Sequence, residues 1–186
     1  MILLGHLETC LQTEGIRGRL ICEGRTDERF FRKLLEPIFG KRLDVKISPS
    51  GEGSASAWVL KQYPHHVRDW VRRAPTQNVA LVVAVDGDAV GTSGRMAQAA
   101  QALLAAGEAT RGPRERIAIC TPTWSIETWL LFLAGEPDVG EAESLKTRFE
   151  RGDFDFDALA KQLRESQNSA LPSIQAGIVE LNRVRP

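Results

Sequence analysis

The chain has 186 residues, with 24 Lys or Arg against 24 Asp or Glu for a formal net charge of zero, and an apolar fraction of 42%. That length suits one α/β domain with a small helical appendage. The balanced charge excludes a global field that would draw the protein to nucleic acid, so any polyanion must be held by a local patch.

The N-terminal residues Met1-Ile2-Leu3-Leu4-Gly5-His6-Leu7-Glu8 lack the basic flank and long apolar core of a signal peptide. No run approaches the ~20 apolar residues of a membrane span. The expectation is a cytoplasmic protein with no membrane association. Three scattered cysteines, Cys10, Cys22 and Cys120, show no zinc-site spacing. Cys22 and Cys120 lie in apolar runs and read as small core residues of a reducing compartment rather than disulfide partners.

Residues 2–13 read as a short amphipathic leader, followed by a turn at Glu14-Gly15-Ile16-Arg17-Gly18. A first strand is expected at about residues 19–22. Thr26 or Asp27 then caps a helix to about Phe39, with Phe30, Phe31, Leu34 and Leu35 facing the sheet. A weakly alternating second strand spans residues 43–47. After the flexible loop Ser48-Pro49-Ser50-Gly51-Glu52-Gly53-Ser54 comes a helix with Trp58, Val59 and Leu60. Pro64 is expected to break it and start a second short helix carrying Val67, Trp70 and Val71.

The third strand, residues 79–85, is the strongest element. Thr92 or Ser93 is expected to cap an alanine-rich helix at residues 94–106. A fourth strand follows at about residues 116–120, then a helix at residues 126–133. The tail from Gly135 is more polar, anchored by Phe149, Phe154, Phe156, Leu159 and Leu163. Strands alternating with helices predict an α/β fold with a mostly parallel central sheet. The expected division is an α/β domain at residues 1–134 and a helical appendage at residues 135–186, packing on the core.

Two acidic clusters carry the chemistry. Leu20-Ile21-Cys22 runs into Glu23-Gly24-Arg25-Thr26-Asp27, and the apolar run at residues 79–85 into Asp86-Gly87-Asp88. Apolar strands that end abruptly in carboxylates read as buried parallel strands, and ligands of open α/β sheets lie just beyond the strand C-termini. Glu23, Asp86, Asp88 and Asp27 are thereby delivered to one sheet edge. Unpaired carboxylates gather cheaply only around positive charge, and a hard cation, Mg²⁺ or Mn²⁺, suits them. Asp27 reads equally as a helix cap or a metal ligand. In Pro122-Thr123-Trp124-Ser125-Ile126-Glu127-Thr128-Trp129, Glu127 is flanked by bulky apolar residues and needs a partner. It either pairs with an arginine, caps its own helix, or completes the metal site. Gly24 lets the backbone approach a phosphate, and Arg25 sits between two acidic residues as a candidate phosphate contact. Ser93, near a helix start, reads as a cap or a phosphate contact. Other basic groups, Arg29, Arg32 and Lys33, then Arg68, Arg72 and Arg73 beside His65, His66 and Trp70, read as solvated faces.

The pairing of Glu23 with Asp86 and Asp88, about 60 residues apart, resembles the TOPRIM domain of topoisomerases, bacterial primases and several nucleases. The resemblance spans roughly residues 19–134 and implies a Rossmann-like TOPRIM fold. It also implies Asp86 and Asp88 as Mg²⁺ holders, with Glu23 as a ligand or general acid/base. Ser125-Ile126-Glu127-Thr128-Trp129-Leu130 is similar to the signature of overcoming-lysogenization-defect (OLD) nucleases and small stand-alone TOPRIM proteins of prokaryotic defence. For that branch the resemblance implies two metals ~4 Å apart on Glu23, Asp27, Asp86, Asp88 and Glu127.

The chain departs from its larger relatives. Tyr63 is the only tyrosine, and no room exists for a topoisomerase's second domain or a primase's zinc-binding and helicase-binding regions. No P-loop motif is present, so an ATPase would be a partner chain. The expectation is a metal-dependent nuclease for DNA or RNA with one or two Mg²⁺ or Mn²⁺ ions. The alternative is a non-catalytic nucleic-acid-binding or regulatory module working with a partner ATPase. An RNA maturase is a third option that the Glu127 motif disfavours, and the tryptophans and apolar last helices leave a homodimer open.

Overall fold

Three apolar runs and one alternating run, Leu43-Asp44-Val45-Lys46-Ile47, pair into one sheet. The computed structural model describes residues 15–51, 53–149, 154–166 and 168–185. The expected leader at residues 2–13 and Cys10 lie outside them. The strands are β1 (Arg17–Cys22), β2 (Leu43–Ile47), β3 (Val79–Ala84) and β4 (Ile117–Cys120). All pairings are parallel, in the order β2-β1-β3-β4. The helices are α1 (Arg25–Phe39), α2 (Ala55–Arg73), α3 (Gly91–Ala105), α4 (Ile126–Leu133), α5 (Phe156–Glu165) and α6 (Pro172–Asn182). The expected α/β architecture with a parallel central sheet is the one observed. Among the described residues no helix is long and apolar enough to cross a membrane.

Strand alternation divides the core in two. Leu20, Cys22, Val82, Ala84, Ala118 and Cys120 point to one face, where α1, α4, α5 and α6 supply Phe30, Phe31, Trp129, Leu163 and Ile178. Ile21, Leu81, Val83, Ile117 and Ile119 point to the other, covered by Val59, Tyr63 and Val67 of α2 and Leu103 of α3. Helices on both faces explain why the strands read as continuous apolar runs. Cys22 and Cys120 are buried free thiols within this core.

Three expectations about helix boundaries need correction. α2 runs unbroken through Pro64. Proline inside a helix costs roughly 3 kcal/mol. Val59, Tyr63 and Val67 on either side of it are all buried against the sheet, each burial contributing about 1.5–3 kcal/mol, so packing wins. The first helix is capped by Gly24, not by Thr26 or Asp27; Asp27 lies in its first turn and accepts the Gly24 N–H at 3.2 Å. α3 begins at Gly91, with Thr92 and Ser93 inside it. Thr92 Oγ1 instead donates to the Thr121 carbonyl at 3.0 Å, tying α3 to the loop after β4.

The C-terminal helices share the main core. α5 packs on α1, where Arg29 lies 4.4 Å above the Phe156 ring, and Phe149 stacks on Phe154 with centroids 4.7 Å apart. α6 lies against β4, one of the sheet's two outer strands. Glu180 of α6 accepts the Ile119 N–H at 2.9 Å and clasps Arg111 with both carboxylate oxygens, while Arg183 donates to the Ile117 carbonyl at 3.1 Å. Side chains thus occupy main-chain groups that an edge strand would offer to another chain.

Trp129 fixes how closely α6 approaches. Its ring is fully buried, its Nε1–H donates to Ser173 Oγ at 2.7 Å, and a Cβ on Gly177 would stand 2.3 Å from its ring. Gly177→Val should therefore destabilise the protein by about 2 kcal/mol, the cost of overpacking a rigid core. Val179→Ala, on the exposed side of the same helix, should stay within ~0.5 kcal/mol. Urea unfolding midpoints of the two variants check this.

Candidate functional site

The chain changes direction at the middle of the sheet. From β1 it moves outward to β2, and from β3 it moves the opposite way to β4, so the C-termini of β1 and β3 frame a crevice. Glu23 and Asp86 lie just beyond those two ends. They meet there, Glu23 Oε1 accepting the Asp86 N–H at 2.7 Å.

Asp86 is 6% exposed, and every polar atom it carries is engaged. Its carbonyl accepts from Arg95 Nε at 2.7 Å and its Oδ1 from the Ile126 N–H, at the start of α4, at 3.1 Å. Its Oδ2 lies 3.3 Å from Lys146 Nζ. The next residue has to be glycine. A Cβ on Gly87 would stand 2.1 Å from the Thr123 carbonyl oxygen, because the Gly87 and Asp88 N–H groups bond the Pro122 and Trp124 carbonyls at 2.8 and 2.9 Å. Asp88 then takes φ 46°, a left-handed conformation that strains a residue with a side chain. Its carboxylate bonds Arg95 Nη2 at 2.9 Å and lies 3.6 Å from Lys146 Nζ.

Two further carboxylates approach from helix first turns, Asp27 from α1 and Glu127 from α4. Asp27 is 5% exposed. Burial, then the charges of Glu23 and Glu127, push its carboxyl up to about 7. Burial likewise raises Asp86 well above the carboxylate range, with Asp27 and Glu23 adding to it. Glu23 is raised by burial against the opposing Asp86 N–H, and Asp88 adds to the rise. Burial alone would depress the Lys146 ammonium, but Asp86 and Asp88 outweigh it and hold it above its ordinary value.

The structure therefore brings Glu23, Asp27, Asp86, Asp88 and Glu127 into mutual electrostatic reach. Among the described residues, five buried side-chain polar atoms lack a hydrogen-bond partner. Four of them, Thr121 Oγ1, Ser125 Oγ, Glu127 Oε2 and Thr128 Oγ1, sit at the β4–α4 junction beside Asp86. Buried polar atoms are nearly always paired, so this concentration is unusual. No three His, Cys, Asp or Glu side chains among the described residues are grouped tightly enough to hold an ion as they stand. Their chemistry nevertheless fits a hard cation: the donors are carboxylate oxygens, one of them orphaned, and an ammonium already lies between Asp86 and Asp88.

The remaining candidates are spread around this centre. Gly24 and Arg25 line a cleft of about 520 Å³ with Glu23 and the loop of Ser48, Pro49 and Ser50. A Cβ on Gly24 would meet Asp27 Oδ2 at an ordinary 3.5 Å. Arg25 is 82% exposed and pairs with Glu28 at 2.7 Å. Ser93 is exposed on the first turn of α3.

Sequence reasoning missed Arg95 and Lys146. Arg95 carried a signal, a lone charge within the small-residue run of α3 two turns after Asp88. Lys146 carried none, because it lies in an irregular segment far along the chain. No family model matches this chain, and neither the curated proteins nor the solved structures yield a match to it.

The raised Asp27 carboxyl sets a pH dependence. Between about pH 4 and 7 the folded state binds a proton that the unfolded state has released, so this group's contribution to stability falls as pH rises through that window. Asp27→Asn keeps an acceptor for the Gly24 N–H and removes the charge. In EDTA its stability relative to wild type should rise from pH 5 to pH 8, as read from urea midpoints. A variant equally destabilised at both values would contradict the assignment.

Proposed function

We propose that this protein is a metal-dependent nuclease that hydrolyses phosphodiester bonds of DNA or RNA. The observation that supports it most is the gathering of five acidic residues at the crevice between β1 and β3, beside an orphaned Glu127 oxygen. Parallel α/β sheets bind ligands at this crevice, and acidic clusters of this kind serve phosphoryl chemistry through divalent ions. The TOPRIM resemblance carried by Glu23, Asp86, Asp88 and the Ser125-to-Trp129 signature points the same way.

In this reading Asp86, Asp88, Glu23, Asp27 and Glu127 hold one or two Mg²⁺ or Mn²⁺ ions. A bound ion supplies charge neutralisation at the phosphate oxygens and an acidified water. The chain's own residues do the rest. Arg95 fixes Asp88 and the Asp86 backbone, so the two aspartates present their oxygens in one orientation. The Ile126 N–H holds the Asp86 carboxylate toward the crevice. Glu23, whose carboxyl burial raises above its ordinary value, stands at the crevice as the group to hold or release a proton. Lys146 is half exposed, so a polyanion can reach its ammonium from solvent, while its partner Asp86 is buried.

A second reading rests on Lys146 itself. An ammonium between Asp86 and Asp88 compensates the centre internally, as suits a non-catalytic module that grips nucleic acid alongside a partner ATPase.

Cleavage assays separate the two. With Mg²⁺ or Mn²⁺, wild type should cut plasmid, single-stranded DNA or RNA. EDTA should stop it, and Asp86→Ala or Glu23→Gln should slow it on the order of 100-fold or more. The same ions should raise the melting temperature of wild type and not of Asp86→Ala. Retained cleavage in both variants would overturn the nuclease assignment; metal binding without cleavage would favour the second reading.

A further inference from the structure

The opposite end of the sheet carries a different chemistry. At the N-terminal ends of β1, β2 and β3, facing the last turns of α2, lies a cavity of about 150 Å³. Gly18, Ala80, Leu81 and Trp70 give it an apolar floor. The Trp70 indole is locked in place, its N–H donating to the Val79 carbonyl at 3.1 Å.

Around this floor stand Arg17, Arg19, Arg42 and Arg73, with Asp44 and Asp69 as the only acidic lining residues among the described ones. Four guanidinium groups against two carboxylates leave a surplus of two positive charges. Asp69 is oversubscribed: Arg19, Arg72 and Arg73 all pair with it, at 3.1, 2.6 and 3.1 Å. Asp44 pairs with Arg19 at 3.0 Å and Lys46 at 3.3 Å. Arg17 and Arg42 have no ion-pair partner among the described residues. Arg42 reaches over the chain where a glycine makes room, its Nη1 lying 2.5 Å from where a Cβ on Gly15 would stand. His66 is buried beside Arg19, which sits 3.3 Å from its Nδ1. Burial and the Arg19 charge push this imidazole down to about 4, so it adds no positive charge near neutral pH.

We propose that this cavity binds a small phosphomonoester, with its dianionic phosphate on Arg17 and Arg42 and its flat apolar part on the floor beside Trp70. Arginine forks match phosphate oxygens two at a time, and a dianion cancels the surplus. The cavity opens to solvent, so it can seat a phosphate and one ring edge while the rest of a mononucleotide stays outside it. The site lies at the far end of β1 and β3 from Glu23 and Asp86, so its occupant is not held by the acidic centre.

Isothermal titration of the full chain with adenosine monophosphate, inorganic phosphate and a 12-nucleotide single-stranded DNA, all in EDTA, tests this. Adenosine monophosphate should bind saturably, with a change in tryptophan fluorescence. The double variant Arg17→Ala/Arg42→Ala should weaken it about tenfold or more. Val179→Ala, on an exposed face outside both sites, should bind as wild type does. Circular dichroism confirms that the variants fold; if the double variant does not, Arg42→Gln alone should still weaken binding. Absence of saturable binding, binding unchanged in the arginine variants, or binding of the oligonucleotide alone would each overturn the proposal.

Discussion

A buried carboxylate costs several kcal/mol unless every oxygen finds compensation, and Asp86 is the residue on which this fold meets that demand. Its side chain takes an N–H from the start of α4 and an ammonium from Lys146, while its backbone takes Glu23 on one side and Arg95 on the other. Those four contacts join β1, β3, α3, α4 and the segment that carries Lys146. They also impose the local geometry: the Asp86-Gly87-Asp88 turn must press against Thr123, which forbids a side chain at residue 87 and forces Asp88 into a strained conformation. The crevice is therefore a junction whose rigidity comes from the need to compensate buried charge.

How much of this the sequence discloses depends on the range of the interactions involved. The apolar runs at residues 19–22 and 79–85 could only be buried strands, and a strand that ends in carboxylates places them at one sheet edge. Glu23 meeting Asp86 follows from that logic. Glu127 is legible because a carboxylate beside bulky apolar residues must find a partner, and Asp27 because it follows Glu23 by one helical turn at a helix start, where it reads equally as a cap. Pro64 misled because a local rule worth roughly 3 kcal/mol was outweighed by the burial of Val59, Tyr63 and Val67, a tertiary effect. α6 was hidden for a related reason. Its anchors Ile174, Ile178 and Leu181 follow the helical period, but the covered β4 edge that gives them a purpose is distant in sequence. Lys146 is invisible in the same sense, since nothing local distinguishes it from any exposed lysine.

Zero net charge conceals a strongly polar arrangement. One end of the parallel sheet gathers Glu23, Asp27, Asp86, Asp88 and Glu127; the other gathers Arg17, Arg19, Arg42 and Arg73. Part of this asymmetry follows from the fold. Parallel strands put all their C-termini at one end, so residues ending strands collect there and residues opening strands collect opposite. Composition averages the two ends to nothing, which is why the balanced total excluded a global field and said little about local ones.

The acidic end is not balanced by the protein alone. Fully ionised, its five carboxylates face Arg95 and Lys146, a deficit of three positive charges. Burial first, and the neighbouring carboxylates after it, raise Asp27, Asp86 and Glu23, so the centre tends to retain protons. Proton retention is a poor solution near neutral pH, because Asp27 titrates there. Protons and a metal ion would thus compete for the same oxygens, and the ion has the advantage as pH rises. Lys146, half exposed and set between Asp88 and the buried Asp86, is the counter-charge that an incoming cation would replace. This charge deficit favours the proposed metal-dependent chemistry over a permanently self-compensated module.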